Sequence, residues 1–427
     1  MGNSNSAGHS LNQALASLLG RYGGAIDPAA IAPDSALRLA WDTGCRALDQ
    51  TIGRLAAAAG TARDQPAGII SLPAGEQLAL AILDRDVLNG VAGRDGNTSC
   101  AAIFAALPVV IAEIAGAIWK DARCLHWIGD VSSLPATPGG DSATPPGFEL
   151  LRLLAASEAA PPEPQVARYL RTAGLTQIAA DRGGLCPVRA AGFAQTVTDA
   201  LHFVWLHEIA HVVLGHVDGS RLHLGSDSML ELEMAQPIAR PAERKVNRVR
   251  QALEVMADDF ALRLIFSHRH GELARPRSRA GPRLDPLDRI ATAVIGAAII
   301  PLALHAAETF SGHASPVIWH PPLWFRAQRI LSIEAMAYRD ACDALSAAAG
   351  SRRELLTAQE RFQVLTHCSA ALMSLTALHP LVADWIGPMQ EEERRRVGAR
   401  FLEDLKAETA TSPIIGGLRP KLRPAPR

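Results

Sequence analysis

An HExxH motif stands in one of the most apolar segments of the chain, FVWLHEIAHVVLGH, which runs from Phe203 to His216. His207 and His211 are four residues apart, so on a helix both imidazoles lie on one face and can reach one zinc ion. Glu208 follows the first ligand and would lie beside the open coordination position, where it can take a proton from water. Burying such groups unpaired is costly. The segment therefore predicts a zinc site or, as the alternative, a metal-free core cluster of mutually hydrogen-bonded side chains.

A catalytic zinc needs a third protein ligand. The metzincin spacing after the motif is absent, but the later segment LEVMADDFAL supplies Glu254, with Asp258 one helical turn further on. We expect Glu254 to be the third ligand and Asp258 to orient a ligand imidazole, that of His207, through its other ring nitrogen. Asp259 is the alternative for the orienting role. The alternative interpretation of Glu254 and Asp258 is that they lie on a solvated helix surface.

HEIAHVVLGH, EVMADDFAL and HPPLWFRAQRI, in this order, resemble the gluzincin zinc metallopeptidases of the prenyl-protease and heat-shock membrane protease type. Their pattern is HExxH, ExxAD and a His-Pro segment with an arginine six residues after the histidine, which His320, Pro321 and Arg326 match. The resemblance covers Ala190–Ile330. It implies that His320 stabilises the oxyanion and that Arg326 holds the substrate backbone or the site itself. The alternative for His320 is a structural histidine before a Pro-Pro turn.

Those families span the membrane several times, whereas this chain has at most two apolar segments of comparable character. The phage-exclusion peptidases, soluble bacterial enzymes that cleave a host translation factor, share the general HExxH layout and are similar in kind. The resemblance therefore implies a soluble relative of the membrane families.

Other histidines and tyrosines have weaker claims on the site. His216 follows His211 by five residues, about 100° or more round a continuous helix, and is expected to cap the helix C-terminus near the macrodipole. His202 is expected to be an ordinary residue without a role in the site, and His223 is a candidate for the cleft lining. Two tyrosines are alternative oxyanion donors: Tyr169 and Tyr338.

The composition is that of an ordinary globular protein. Of the 427 residues 48% are hydrophobic and 20% charged, and the formal net charge is -1, which argues against general binding to nucleic acid or to an anionic membrane. Six cysteines are scattered without a CxxC pair, which is typical of free thiols in a reducing compartment. We expect a cytoplasmic protein, with a membrane-associated location as the alternative. The sequence does not indicate an oligomeric state.

Two apolar segments could be mistaken for membrane spans. Ala101–Trp119 carries Glu113 and places its larger apolar residues at helical spacing, as in a core helix. Ile290–Leu304 would reach roughly 22 Å as a helix, short of the ~30 Å of hydrocarbon. We expect both to be buried helices.

The predicted fold class is mainly α (α+β), with a zincin-like helical metallopeptidase core. The long helices are expected from about Ala190 to His216, ended at Gly219, and over Ala242–His268. GVAGRDG, between Gly90 and Gly96, has the wrong glycine spacing for a nucleotide-binding loop and is expected to be an ordinary loop. Changes in composition divide the chain as follows: an Ala-rich helical region at 1–131, a Pro/Gly-rich linker at 132–165, the metallopeptidase core at 166–345, C-terminal helices at 346–410 and a disordered tail at 411–427.

These features predict a zinc-dependent endopeptidase that acts on a protein or peptide substrate. The alternative is a catalytically silent, metallopeptidase-like zinc-binding sensor or regulator, in which the large N-terminal region is the interaction module.

Overall fold

A computed structural model gives the fold of the chain. It describes residues 23–59, 68–72, 75–134, 146–156, 164–180, 184–219, 228–230, 241–273, 284–310, 321, 323–351, 353–376, 378, 391–412, 415–416 and 418. Helices dominate these residues and a single small sheet accompanies them. The predicted class, mainly α with some β structure, is confirmed.

The sheet has five strands in the order β1-β2-β4-β3-β5. Strand β2 is parallel to β4, and the other neighbouring pairs are antiparallel. Strand β5 follows the HExxH motif in the sequence and pairs with β3 of the N-terminal region, so the sheet joins these two parts of the chain. The strand bounds are β1 Ile69–Ser71, β2 Gln77–Leu83, β3 Gly90–Asp95, β4 Thr98–Phe104 and β5 Ser228–Leu230.

These strands correct two expectations about the N-terminal region. GVAGRDG is not a loop, because Gly90–Asp95 forms β3 and only Gly96, at φ 58°, turns the chain toward β4. Ala101–Trp119 is not one helix, because its first four residues complete β4 and the helix begins at Ala106. The strands have apolar neighbours on both faces, which is why they read as continuous apolar runs rather than alternating ones.

Among the described residues, five α-helices precede the HExxH segment. The second of them, α2, is buried along almost its whole length and follows β4 after one residue. Their bounds are α1 Ala36–Ala59, α2 Ala106–Lys120, α3 Pro146–Ala156, α4 Pro164–Thr172 and α5 Leu175–Ala180.

Four long helices form the centre of the molecule, and the HExxH helix α6 packs against α1, α2, α7 and α8. Helices α6 and α7 are antiparallel, since His207 meets Asp258 while Asp199, earlier on α6, meets Arg269, later on α7. The central bounds are α6 Pro187–Val213, α7 Pro241–Leu273, α8 Pro286–Phe310 and α9 Leu323–Ala349. In the described part of the chain that follows, two further long helices are present: α10 Ala358–Leu375 and α11 Glu391–Thr409.

One helix among the described residues is long and apolar enough to cross a membrane, over Pro286–Ala307 of α8. Inside the fold, 89% of its most apolar window is buried. This agrees with the expectation that Ile290–Leu304 belongs to a core helix.

Three buried polar contacts fix α6 in place. Nε1 of Trp205 donates a 2.8 Å hydrogen bond to the carbonyl of Ala40 on α1, and Nε1 of Trp119 on α2 donates to Oγ1 of Thr196. The fully buried guanidinium of Arg189 donates to the carbonyl of Trp119 and to carbonyls of the turns that follow α2. Because these contacts come from separate elements, α6 is held rigidly where the motif stands.

Candidate metal centre

Helix α6 presents both histidines of the motif to one point. Nε2 of His207 lies 3.0 Å from Nε2 of His211, and the exposed fractions of the two residues are 1% and 2%. Spacing of four residues on one helical face produces this arrangement, as the sequence predicts.

Glu254 on α7 brings a carboxylate to the same point. Its Oε2 lies 3.1 Å from Nε2 of His207, its Oε1 lies 3.4 Å from Nε2 of His211, and it is also buried. Donor atoms that each lie 2.0–2.1 Å from a tetrahedral ion are about 3.3–3.4 Å apart. The donor set therefore has the size, the burial and the chemistry of a site for a divalent metal ion.

Asp258 and Arg326 lie behind this triad. Oδ1 of Asp258 is 3.0 Å from Nδ1 of His207, and Arg326 on α9 donates two 2.8 Å hydrogen bonds to the same carboxylate. Burial raises the pKa of Asp258, but Arg326 and the hydrogen bond from His207 outweigh burial and hold that pKa below its ordinary value. The carboxylate is therefore ionised and able to fix the proton of His207 on Nδ1.

Asp259, the alternative residue for orienting His207, and Arg326 each have an ion-pair partner. The carboxylate of Asp259 forms an ion pair with Arg329, so it does not orient His207. Arg326 is 4% exposed and its guanidinium is engaged by Asp258. Of the two roles that the resemblance implies for Arg326, this position favours support of the site over contact with a substrate.

The prediction that His216 caps the C-terminus of a continuous helix is wrong. Helix α6 ends at Val213, and Gly215, with φ 81°, takes the left-handed conformation that was assigned to Gly219. The chain then turns back, so that Nδ1 of His216 lies 2.9 Å from Nδ1 of His211. Desolvation holds the pKa of the fully buried His216 well below its ordinary value, and the ring is neutral at physiological pH.

Glu208 lies under strand β3. A Cβ atom added at Gly90 would come 2.7 Å from Cδ and 3.1 Å from Cγ of Glu208, and it would overlap Oε1. Only glycine therefore lets β3 approach this carboxylate so closely. Cys100, on the neighbouring strand β4, has its pKa raised to about 12 by burial and, to a smaller extent, by the charge of Glu208, so its thiol stays protonated.

The remaining candidates from the sequence are two histidines and two tyrosines. His320 and His223 lie outside the described residues, and the proposed oxyanion role of His320 stays a prediction. The hydroxyl of Tyr169 donates to Glu113, and that of Tyr338 donates to Glu354. Both tyrosines are thus engaged with carboxylates elsewhere in the fold.

His202 is buried one to two turns before the motif. Desolvation and, to a smaller extent, the positive charges of Arg269, His268 and Arg46 lower its pKa to about 3. The expectation of an ordinary residue does not include this strongly shifted pKa.

Two further features were not recognised from the sequence: the contact of Gly90 with Glu208 and the contact of His216 with His211. The pattern of glycines in GVAGRDG carried a signal for the first, because a glycine in a strand often marks a close approach. Gly215 just before His216 carried a signal for the second, since glycine often follows the end of a helix.

A family model described as Peptidase U49 matches residues 188–346. This match supports a peptidase function. The matched range contains all of the described site residues on α6, α7 and α9, whereas strand β3 precedes this range in the sequence. No curated protein and no solved structure matches the chain.

Proposed function

We propose that this chain is a zinc-dependent endopeptidase. The observation that carries the proposal is the convergence of His207, His211 and Glu254, from two antiparallel helices, with donor atoms 3.0–3.4 Å apart. The peptidase family match over the same helices supports the reaction class.

Two imidazoles and one carboxylate form a donor set that suits zinc and leaves a fourth position for water or substrate. A zinc ion held there supplies a Lewis acid that acidifies water and polarises the scissile carbonyl. The ionised Asp258 keeps the proton of His207 on Nδ1, so its Nε2 lone pair points to the donor cluster.

Glu208 is the proposed general base. It is adjacent in sequence to a ligand, it is 1% exposed, and Gly90 confines its Oε1 from one side. Its carboxylate takes a proton from the attacking water and passes that proton to the amine nitrogen that leaves when the peptide bond breaks. His320 is proposed to donate to the oxyanion, on the strength of the resemblance alone.

The test compares new protein N-termini in bacterial cells that express the wild type or the Glu208→Gln variant. Glu149→Gln, at an exposed carboxylate on α3, makes the same chemical change away from the triad and serves as the control. We expect chelator-sensitive cleavage products with the wild type and the control, and none with Glu208→Gln. Zinc bound without any cleavage product would instead favour the sensor.

A further inference from the structure

The two histidine ligands have different partners behind them. Nδ1 of His207 faces the carboxylate of Asp258, which is ionised and held by an arginine. Nδ1 of His211 faces another imidazole, that of His216, at 2.9 Å. A metal-ligating histidine is usually oriented by a carboxylate, a carbonyl or water. An imidazole in this position is unusual, and its role needs an explanation.

The fold holds His216 firmly in that position. After the turn at Gly215, residues 216–219 are helical, and the amide of Gly219 donates to the carbonyl of Gly215. Asp218 in this turn forms a 2.7 Å ion pair with Arg94 on β3. His216 is fully buried, and its ring meets that of His211 edge to face with centroids 5.0 Å apart.

We infer that His216 is a positioning residue for the metal ligand His211, accepting a hydrogen bond at Nδ1. The inference rests on the proposed zinc site. When Nε2 of His211 binds a metal ion, its single proton must be on Nδ1. Two Nδ1 atoms at 2.9 Å form a hydrogen bond only if one of them accepts, so His216 is neutral and carries its proton on Nε2.

The consequence is an asymmetric pair of ligands. The partner of His207 is an anion and makes that ligand more basic, whereas His211 has a neutral acceptor that fixes its ring without adding charge. Loss of the acceptor leaves the His211 ring free to rotate or to carry its proton on Nε2. Both outcomes weaken metal binding.

Two substitutions distinguish the loss of the hydrogen-bond acceptor at position 216 from the loss of the packing of the His216 ring. The side-chain amide of His216→Asn overlies Nδ1 of the imidazole, while that of His216→Gln overlies Nε2. We expect His216→Asn to bind zinc within about threefold of wild type and His216→Gln to bind it about 10- to 100-fold more weakly, by competition with a chromophoric chelator. The visible spectrum of the cobalt-loaded protein should change for His216→Gln and be retained for His216→Asn.

Thermal unfolding of the metal-free proteins shows whether either variant is destabilised, which a purely structural role would produce in both. Equal zinc affinity in wild type and both variants, or equal loss in both, would overturn the inference while leaving the zinc site intact. Absence of zinc binding by the wild type would remove the proposed function and this inference together. Independently of any variant, ¹⁵N NMR of the zinc-loaded wild type should show His216 as the neutral Nε2–H tautomer. A proton on its Nδ1 would contradict the inference.

Discussion

Arg326 on α9 donates two 2.8 Å hydrogen bonds to Asp258 on α7, and Asp258 lies 3.0 Å from Nδ1 of His207 on α6. Three helices are thereby linked through one buried polar chain that ends at a proposed metal ligand. A buried carboxylate such as that of Asp258 is stable only beside its counter-ion. The candidate metal centre therefore depends on Arg326 as well as on Asp258.

Replacing Arg326 by lysine should weaken the centre, since an ammonium group cannot make the two parallel hydrogen bonds. We expect zinc affinity to fall about tenfold or more, measured by chelator competition. Arg326→Met would leave Asp258 without its cation and should lower the free energy of unfolding by about 3–5 kcal/mol.

Arg329→Lys is the matched control for Arg326→Lys, because Arg329 lies one turn later on α9 and pairs with Asp259. It should leave zinc affinity close to that of the wild type. The same loss of affinity in both lysine variants would show that the Arg326–Asp258 pair has no special role.

Gly90→Ala should displace the carboxylate of Glu208, because the added methyl group would overlap Oε1. Misplacement of a catalytic group by about 1 Å can cost about 100-fold in rate, so we expect kcat to fall by that order while bound zinc is retained. Gly271→Ala on α7, where a Cβ meets nothing within 4 Å, is the control and should be as active as wild type. An active Gly90→Ala enzyme would show that β3 does not confine Glu208.

His202 should make the protein less stable in acid. Desolvation, together with the nearby positive charges, depresses its pKa to about 3 from the ordinary 6.5, so between these pH values the unfolded chain binds a proton that the folded chain does not. The free energy of unfolding should therefore rise with pH across this window, by up to about 1.4 kcal/mol per pH unit from this residue. His202→Gln should flatten the dependence in urea unfolding of the metal-free protein. An unchanged slope would show that His202 does not cause it.

The candidate metal ligands are predictable from the sequence because they follow helical spacing. The four-residue interval between His207 and His211, and that between Glu254 and Asp258, set each pair on one face before any tertiary structure is known. The long apolar and charged runs around them likewise predict α6 and α7.

The sheet is not predictable in the same way. Strand β4 is apolar on both faces and leads into α2 after only Ala105, so its apolar run cannot be distinguished by period from the helix that follows. The contact between His216 and His211 is missed for another reason. A helical-wheel argument assumes a continuous helix, and Gly215 breaks that helix one residue earlier.

The proposed peptidase activity requires one metal ion held by His207, His211 and Glu254 beside a catalytic Glu208. Its most direct test is elemental analysis of purified wild type and Glu208→Gln, paired with an assay of chelator-sensitive cleavage of a protein substrate. We predict one zinc per chain in both proteins and cleavage by the wild type only. A wild-type protein without stoichiometric zinc, or a Glu208→Gln variant that cleaves as fast as wild type, would contradict the account.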